Sequence, residues 1–249
     1  MKNAPLQNHD SKNNLEPSKD QNYFFFHNFP GLAGITTINF GSLGRPNNDR
    51  LQLFEKLMDL TDSNYYIKIG SRHKNKIISV NHNCQNYLEA DAVVYQSVVE
   101  FEPLIMISTA DCPIVIITDQ KGNAMGIIRA SWREIQASLI TKIAYQLHYE
   151  LTSFSQELSA WVWPGICPNC LPLNQELKNF FPKDIKHGKL DLKALIFEQL
   201  LKSGIAENNI SSTSLCSKHS RRDNQPFFYS KRRQEDGNQN VVFVKLKQS

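Results

Sequence analysis

The sequence predicts one α/β (α+β) domain with mixed β-sheets and flanking helices. Short β-branched apolar runs recur along the chain, apolar residues at helical spacing alternate with them, and no internal repeat or linker divides the 249 residues. With 41% hydrophobic and 10% aromatic residues, a chain of this length can bury a substantial core.

Residues 1–21 are mostly Asn, Lys, Ser, Asp and Gln and cannot offset the entropy of ordering, so they are expected as a flexible tail, with the domain over 22–249. The domain opens near Tyr23-Phe-Phe-Phe26. After Pro30-Gly-Leu-Ala-Gly34, the run Ile35 to Phe40 reads as a strand. Asn48 to Met58 reads as a helix with Leu51, Phe54, Leu57 and Met58 on one face. Tyr65–Ile69 and Lys76–Val80 are expected strands flanking the turn that carries His73, and Ala92–Tyr95 and Leu104–Ser108 have the short apolar character of buried strands.

Cys112 follows directly, and Ile114–Ile117 resumes the strand pattern before Asp119-Gln-Lys-Gly122, which is hairpin chemistry returning through Ala124–Ile128. Ser131-Trp-Arg-Glu134 has capping-box spacing, and Ile135, Leu139, Ile143 and Leu147 extend the expected helix from Trp132 to about Leu151. Ala160–Trp163 is a strand ended by Pro164-Gly165, and Leu192–Ser203 is a helix closed by Gly204. Phe227–Ser230 and Asn240–Val244 read as a last strand pair.

A formal charge of +4, with both signs spread along the chain, lacks the basic stripe of a nucleic-acid binder, although Ser220-Arg-Arg-Asp223 and Lys231-Arg-Arg233 are locally basic. Five cysteines and an N-terminus without an apolar secretion segment point to reduced thiols in a cytoplasmic protein. No apolar run approaches the roughly 20 residues that span a bilayer. Neither nucleic acid nor membrane is expected as a partner.

Several residues carry chemistry. Arg129 ends a strand just before a capped helix start, with Arg133 one turn on, so the two guanidiniums and the helix N–H groups suit an anion such as phosphate. An arginine near Cys112 would lower its pKa, and with His73 in reach this makes a Cys-His pair able to form a thiolate. The plainer alternative makes Cys112 a small buried hydrophobe, His73 a surface-turn residue and Arg129 a salt-bridge partner of Glu134 or Asp111. Cys167-Pro-Asn-Cys170 and Cys216-Ser-Lys-His219 form the ligand set of a structural Cys3His zinc site, if the fold joins two pairs about 45 residues apart.

Four ordered blocks resemble the laccase-domain family, once called multicopper polyphenol oxidases and since described as purine nucleoside phosphorylases, with adenosine deaminase activity reported. Ser71-Arg-His-Lys74 is similar to the family's Q-V-H-G, while Glu89-Ala-Asp-Ala92 and Thr109-Ala-Asp-Cys112 are intact. Arg129-Ala-Ser-Trp-Arg-Glu134 is similar to H-A-G-W-R-G but loses the histidine and both glycines. Trp163 to Cys170 resembles G-P-x-I-G-P-C-C, Leu190-Asp-Leu192 resembles F-D-L, Cys216 to His219 resembles C-T-x-C, and Phe228 to Arg233 resembles F-F-S-Y-R-R.

The resemblance implies a laccase-type domain acting on a nucleoside with phosphate as co-substrate. It implies a metal, zinc or in older descriptions copper, held at His73 and Cys112, with Arg129 in place of the third ligand. Two ligands fall short of the usual catalytic zinc set, and a guanidinium offers only donors and a fixed positive charge. Zinc chemistry, and deamination with it, is therefore not expected. The catalytic candidates are His73, Cys112 and Arg129, with Arg129, Arg133 and Asp111 for substrate or anion binding. Two alternatives are a divergent, non-catalytic binding or regulatory member, and a metal-independent Cys-His hydrolase.

Overall fold

The computed structural model describes residues 15–44, 50–97, 101–151, 157–235 and 237–246. In chain order the first strands are β1 (Leu15–Pro17), β2 (Tyr23–Phe26) and β3 (Gly31–Thr36), followed by helix α1 (Arg50–Leu60). Next come β4 (Tyr66–Gly70), β5 (Ile77–Val80), β6 (Tyr87–Glu89), β7 (Ala92–Gln96), β8 (Leu104–Thr109), β9 (Ile114–Asp119) and β10 (Ala124–Arg129). Helices α2 (Trp132–Gln136) and α3 (Leu139–Gln146) lead to β11 (Leu158–Val162), α4 (Gln175–Phe180) and α5 (Leu192–Lys202). The chain closes with β12 (Ile210–Ser212), the two-residue strands β13 (Arg221–Arg222) and β14 (Gln225–Pro226), and β15 (Asn240–Leu246).

Two mixed sheets carry the fold. The first has seven strands in the order β1-β2-β3-β15-β8-β4-β6, and the second six in the order β12-β11-β9-β10-β7-β5. In the first, β4 runs parallel to β6 and β8, while β15 is antiparallel to both neighbours, β3 and β8.

Period-2 alternation on these strands fills three cores. Ile105 and Ile107 of β8 meet Ile114, Ile116, Met125 and Ile127 of the second sheet between the sheets. Leu104 and Met106, on the opposite face, pack with Leu53, Phe54 and Leu57 of α1. Val115, Ile117 and Ile128 face α3 and α5 through Ile143, Leu147, Ile196 and Leu200. The layers therefore run helix, sheet, sheet, helix. Gly126 permits the close approach of α3, because a Cβ there would lie 2.2 Å from Ile143 Cγ2.

The structure departs from the sequence expectations at five places. Leu15–Pro17, expected in the tail, pairs with β2 and buries Leu15; residues 1–14 lie outside the described residues. The strand expected over Ile35–Phe40 starts at Gly31, stops at Thr36 and becomes a 3-10 turn over Ile38–Phe40. The helix expected from Trp132 to Leu151 breaks at Ser138, which adopts φ 56° and starts α3. Gln199 Nε2 donates to Ile135 O at 2.6 Å, satisfying a carbonyl near the break. Phe227–Ser230 is not a strand: Phe228 plugs the inter-sheet core from a loop. Finally, β6, β12 and α4 were not anticipated, being short and only partly apolar.

Candidate functional site

The loops after β4 and β8 carry His73 and Cys112, and Arg129 is the last residue of β10. Asp91, just before β7, builds the first loop. Its carboxylate accepts from Ser71 Oγ at 2.5 Å and from the backbone N–H groups of Arg72 (3.0 Å), His73 (2.7 Å), Lys74 (2.7 Å) and Lys76 (3.2 Å). This bracing holds His73 at φ 56° and Asn75 at φ 57°, left-handed values that are uncommon for residues with a side chain. Burial disfavours the Asp91 carboxylate, but these bonds outweigh it and hold its pKa below the ordinary 3.8.

The capping box at α2 forms as expected: Ser131 N donates to Glu134 Oε2 at 3.1 Å, and Ser131 Oγ also bonds this oxygen. Glu134 has a second role that the cap pattern hid. Its other oxygen lies 3.0 Å from His73 Nδ1, with Ser131 Oγ 3.2 Å from the same nitrogen. Across the ring, Arg129 Nη1 lies 2.9 Å from His73 Nε2 and 3.1 Å from Ser71 Oγ. A guanidinium only donates, so Nε2 accepts and Nδ1–H donates to the fully buried Glu134 carboxylate. The hydrogen-bond network thus assigns the tautomer.

Arg129 forms no ion pair with Glu134 or Asp111, and among the described residues it has no carboxylate partner. Its Nε is buried without a hydrogen-bond partner. Among the described residues, no carboxylate contacts the charge beside the histidine directly.

Cys112 is placed differently from the expectation of a ready thiolate. The residue keeps some accessible surface, yet its thiol is desolvated, and burial raises its pKa more than the nearby Arg129 charge lowers it; Glu134 and Asp111 raise it further. Asp111 has its carboxylate engaged within the fold. At φ 81° it accepts from Ser217 Oγ and Ser230 Oγ, both at 2.7 Å, and from Arg232 N at 3.0 Å. It is the hub that joins the Thr109–Cys112 turn to the C-terminal loops. Arg133 lies over the Trp132 ring at 4.2 Å and pairs with Glu176 at 3.5 Å, so its charge is engaged on the surface of α2.

His73, Asp91 and Glu134 each offer a ligand atom within 4.8 Å of the others, a set that does not include Cys112. The donor set does not fit the family's metal. His73 Nε2 accepts from Arg129, His73 Nδ1 bonds Glu134, and the Asp91 oxygens are engaged by the loop N–H groups and Ser71. A cation would meet a fixed positive charge at the position of the third ligand.

A second cluster fits a metal well. Cys167, Cys170, Cys216 and His219 come together with all four ligand atoms within 4.8 Å of one another, although the two pairs are far apart in sequence. The pairings that join them are the parallel Gly165–Cys216 bridge and the parallel pairing of β11 with β12.

Cavities of about 250, 460 and 540 Å³ open among the described residues, and these are lined by residues other than His73, Cys112 and Arg129. The one of about 250 Å³ is bounded by Leu15, Phe24, Leu215, Arg222 and Phe227. No helix among the described residues is long and apolar enough to cross a membrane.

Comparison with known proteins agrees with this architecture. The chain is 18% identical to the hypothetical protein YfiH of Bacillus licheniformis, whose crystal structure it matches over 95% of its own length and 100% of the other with a TM-score of 0.80. YlmD of Geobacillus stearothermophilus is matched at 16% identity over 94% and 99% of the two chains, with a TM-score of 0.77. These show the same fold. In sequence, the chain is 23% identical to a purine nucleoside phosphorylase of Clostridium acetobutylicum, over 72% of this chain and 75% of the relative. It is 30% identical to one of Aquifex aeolicus, over 54% and 63%. Residues 47–246 match the family described as multi-copper polyphenol oxidoreductase laccase, and the chain belongs to that family.

Proposed function

We propose that the chain is a purine nucleoside phosphorylase-like enzyme that cleaves adenosine- or inosine-type nucleosides with phosphate, without a metal at the His73 site. Relatives bearing that name support the reaction class. The observation that carries the reading is Arg129, a guanidinium that among the described residues has no carboxylate partner and a buried, unpaired Nε, beside a histidine of defined tautomer. Such a group favours a dianionic ligand, and phosphate oxygens complement its planar set of N–H donors.

In the proposed reaction a phosphate oxygen bonds to C1′ of the ribose as the glycosidic C–N bond breaks, and the purine leaves with a proton. Arg129 neutralises the phosphate. Once its N–H groups turn to the anion, His73 Nε2 is free to exchange a proton, while Glu134 stabilises the imidazolium from the other side. Cys112, kept as a neutral thiol, lines the site rather than attacking. Deamination is left out because it needs a metal-activated water.

Release of base from inosine or adenosine, measured with and without phosphate, tests the reading. Phosphate-dependent turnover whose KM for phosphate rises at least tenfold in Arg129→Gln is expected; no phosphate-dependent turnover by the folded protein sinks it. A second reading, a non-catalytic family member, draws on Arg129, which engages the His73 nitrogen at the site. The same assay decides between them. The Cys-His hydrolase alternative draws no support from Cys112, whose thiol pKa is raised by burial.

A further inference from the structure

We propose that Cys167, Cys170, Cys216 and His219 bind one zinc ion, and that this ion pins the Thr109–Cys112 turn of the candidate active site. His219 Nδ1 lies 3.6 Å from Cys167 Sγ and 3.3 Å from Cys170 Sγ. Around tetrahedral zinc, bond lengths of about 2.3 Å to sulfur and about 2.0 Å to nitrogen put such atoms about 3.5 Å apart. These two separations match edges of a zinc tetrahedron, and all four ligand atoms lie within 4.8 Å of one another. Three thiolates and one imidazole form a closed structural set, and their softness selects zinc over magnesium or calcium.

The two ligand-bearing turns are built for this. Cys170 N and Leu171 N both donate to Cys167 O at 3.0 Å, so the first pair closes as a tight knuckle. In the second, Cys216 N donates to Ser220 Oγ at 2.8 Å and Ser220 N returns to Cys216 O at 3.1 Å. Cys167 N donates to Cys216 Sγ at 3.4 Å, the kind of outer-shell bond that steadies a metal-bound thiolate. All three cysteines are free thiols. Three thiolates around a dication leave one net negative charge, and the Lys193 ammonium stands beside the second knuckle, bonded to Thr213 O and, at 3.2 Å, to Leu215 O.

The link to the turn is short. Ile166, next to Cys167, donates its N–H to Asp111 O at 2.8 Å, and Ser217, next to Cys216, donates its hydroxyl to Asp111 Oδ1 at 2.7 Å. Each bond to Asp111 is thus one residue from a ligand on a different knuckle. The inference does not rest on the phosphorolysis reading, and its ligands are separate from His73 and Cys112.

The test is elemental analysis of the full-length protein, purified without chelator and dialysed. About one zinc per chain is expected in the wild type, in His73→Ala and in Cys112→Ser, and loss of that zinc in Cys170→Ser. Zinc-free folded wild type that takes up none when zinc is added overturns the proposal, as does zinc lost from His73→Ala but retained by Cys170→Ser, or a Cys167–Cys170 disulfide in the purified protein. If Cys170→Ser does not fold, cobalt(II) reconstitution of the wild type decides: thiolate-to-cobalt charge-transfer absorption is expected, and its absence overturns the site. For the pinning role, chelating the zinc should speed alkylation of Cys112 several-fold relative to Cys84. An unchanged ratio overturns that part.

Discussion

Arg129 Nη1 donates to His73 Nε2 at 2.9 Å, so the one imidazole lone pair that could bind a metal is engaged by a fixed positive charge. In the family resemblance the residue at position 129 is a histidine, a metal ligand. Here the same position engages His73, one of the two ligand residues that remain.

Replacing that charge should reopen the site. Arg129→His is expected to take up one further equivalent of zinc beyond that at the cysteine cluster, read by titration calorimetry and elemental analysis. No second equivalent in a folded Arg129→His protein would show that His73 and position 129 do not share a metal geometry.

Glu134 joins the helix cap to the histidine from a fully buried position. Glu134→Ala removes the acceptor of Ser131 and His73 at once, and is expected to cost about 2–4 kcal/mol in urea denaturation, a cap plus a buried bond to an ionised group. Glu134→Gln keeps one acceptor oxygen and should cost less than half as much. Equal losses in the two variants would contradict the dual role.

The depressed pKa of Asp91 sets an acid dependence. Because the folded carboxyl titrates below 3.8, its contribution is complete above that value and is lost as pH falls through the lower folded pKa. Wild type should therefore lose stability in this range relative to Asp91→Asn, whose deficit is greatest at neutral pH. Urea midpoints measured between about pH 6 and about pH 2 read this out; parallel curves would exclude it.

Cys112 should be a slow nucleophile. An exposed thiol is only a few per cent thiolate at neutral pH, and burial lowers that fraction at Cys112. Iodoacetamide labelling followed by peptide mass spectrometry should find Cys112 alkylated more slowly than Cys84. Selective modification of Cys112 would reverse the assignment.

The packing of α3 on the second sheet tolerates no side chain at position 126. Gly126→Ala forces a Cβ against Ile143 Cγ2 and is expected to cost about 1–3 kcal/mol, visible as a lower Tm. A double variant with Ile143→Val should recover part of the loss; an undiminished Tm in Gly126→Ala would argue against this contact.

The strands around the site follow from sequence because alternation and apolar runs are local. β8, β9 and β10 fall within a residue or two of their expected bounds. The capping box is also local, four residues wide, and forms as its spacing implies. The break at Ser138 escapes notice because Ile135, Leu139, Ile143 and Leu147 keep helical spacing across it. Phe227 and Phe228 look like strand residues, yet apolar content alone cannot tell a strand from a loop that plugs a core. The contacts of His73 with Glu134 and Arg129, and of Asp111 with Ser217 and Ser230, arise where separate elements meet, so no spacing announces them. The opposing effects on the Cys112 thiol are of the same kind: the arginine is visible in sequence, the enclosure that outweighs it is not.

The central place of β15 orders events during synthesis. The first sheet holds β3 and β8 apart until residues 240–246 slot between them, and Asp111 finds its hydroxyl partners only at Ser217 and Ser230. Closing loops of more than a hundred residues carries an entropic cost that local contacts near Cys112 cannot offset. A chain still emerging from the ribosome therefore has its helices and its second sheet within reach, but neither its first sheet nor the hydroxyl partners of the Thr109–Cys112 turn, until residues 240–246 and Ser217 and Ser230 have been added.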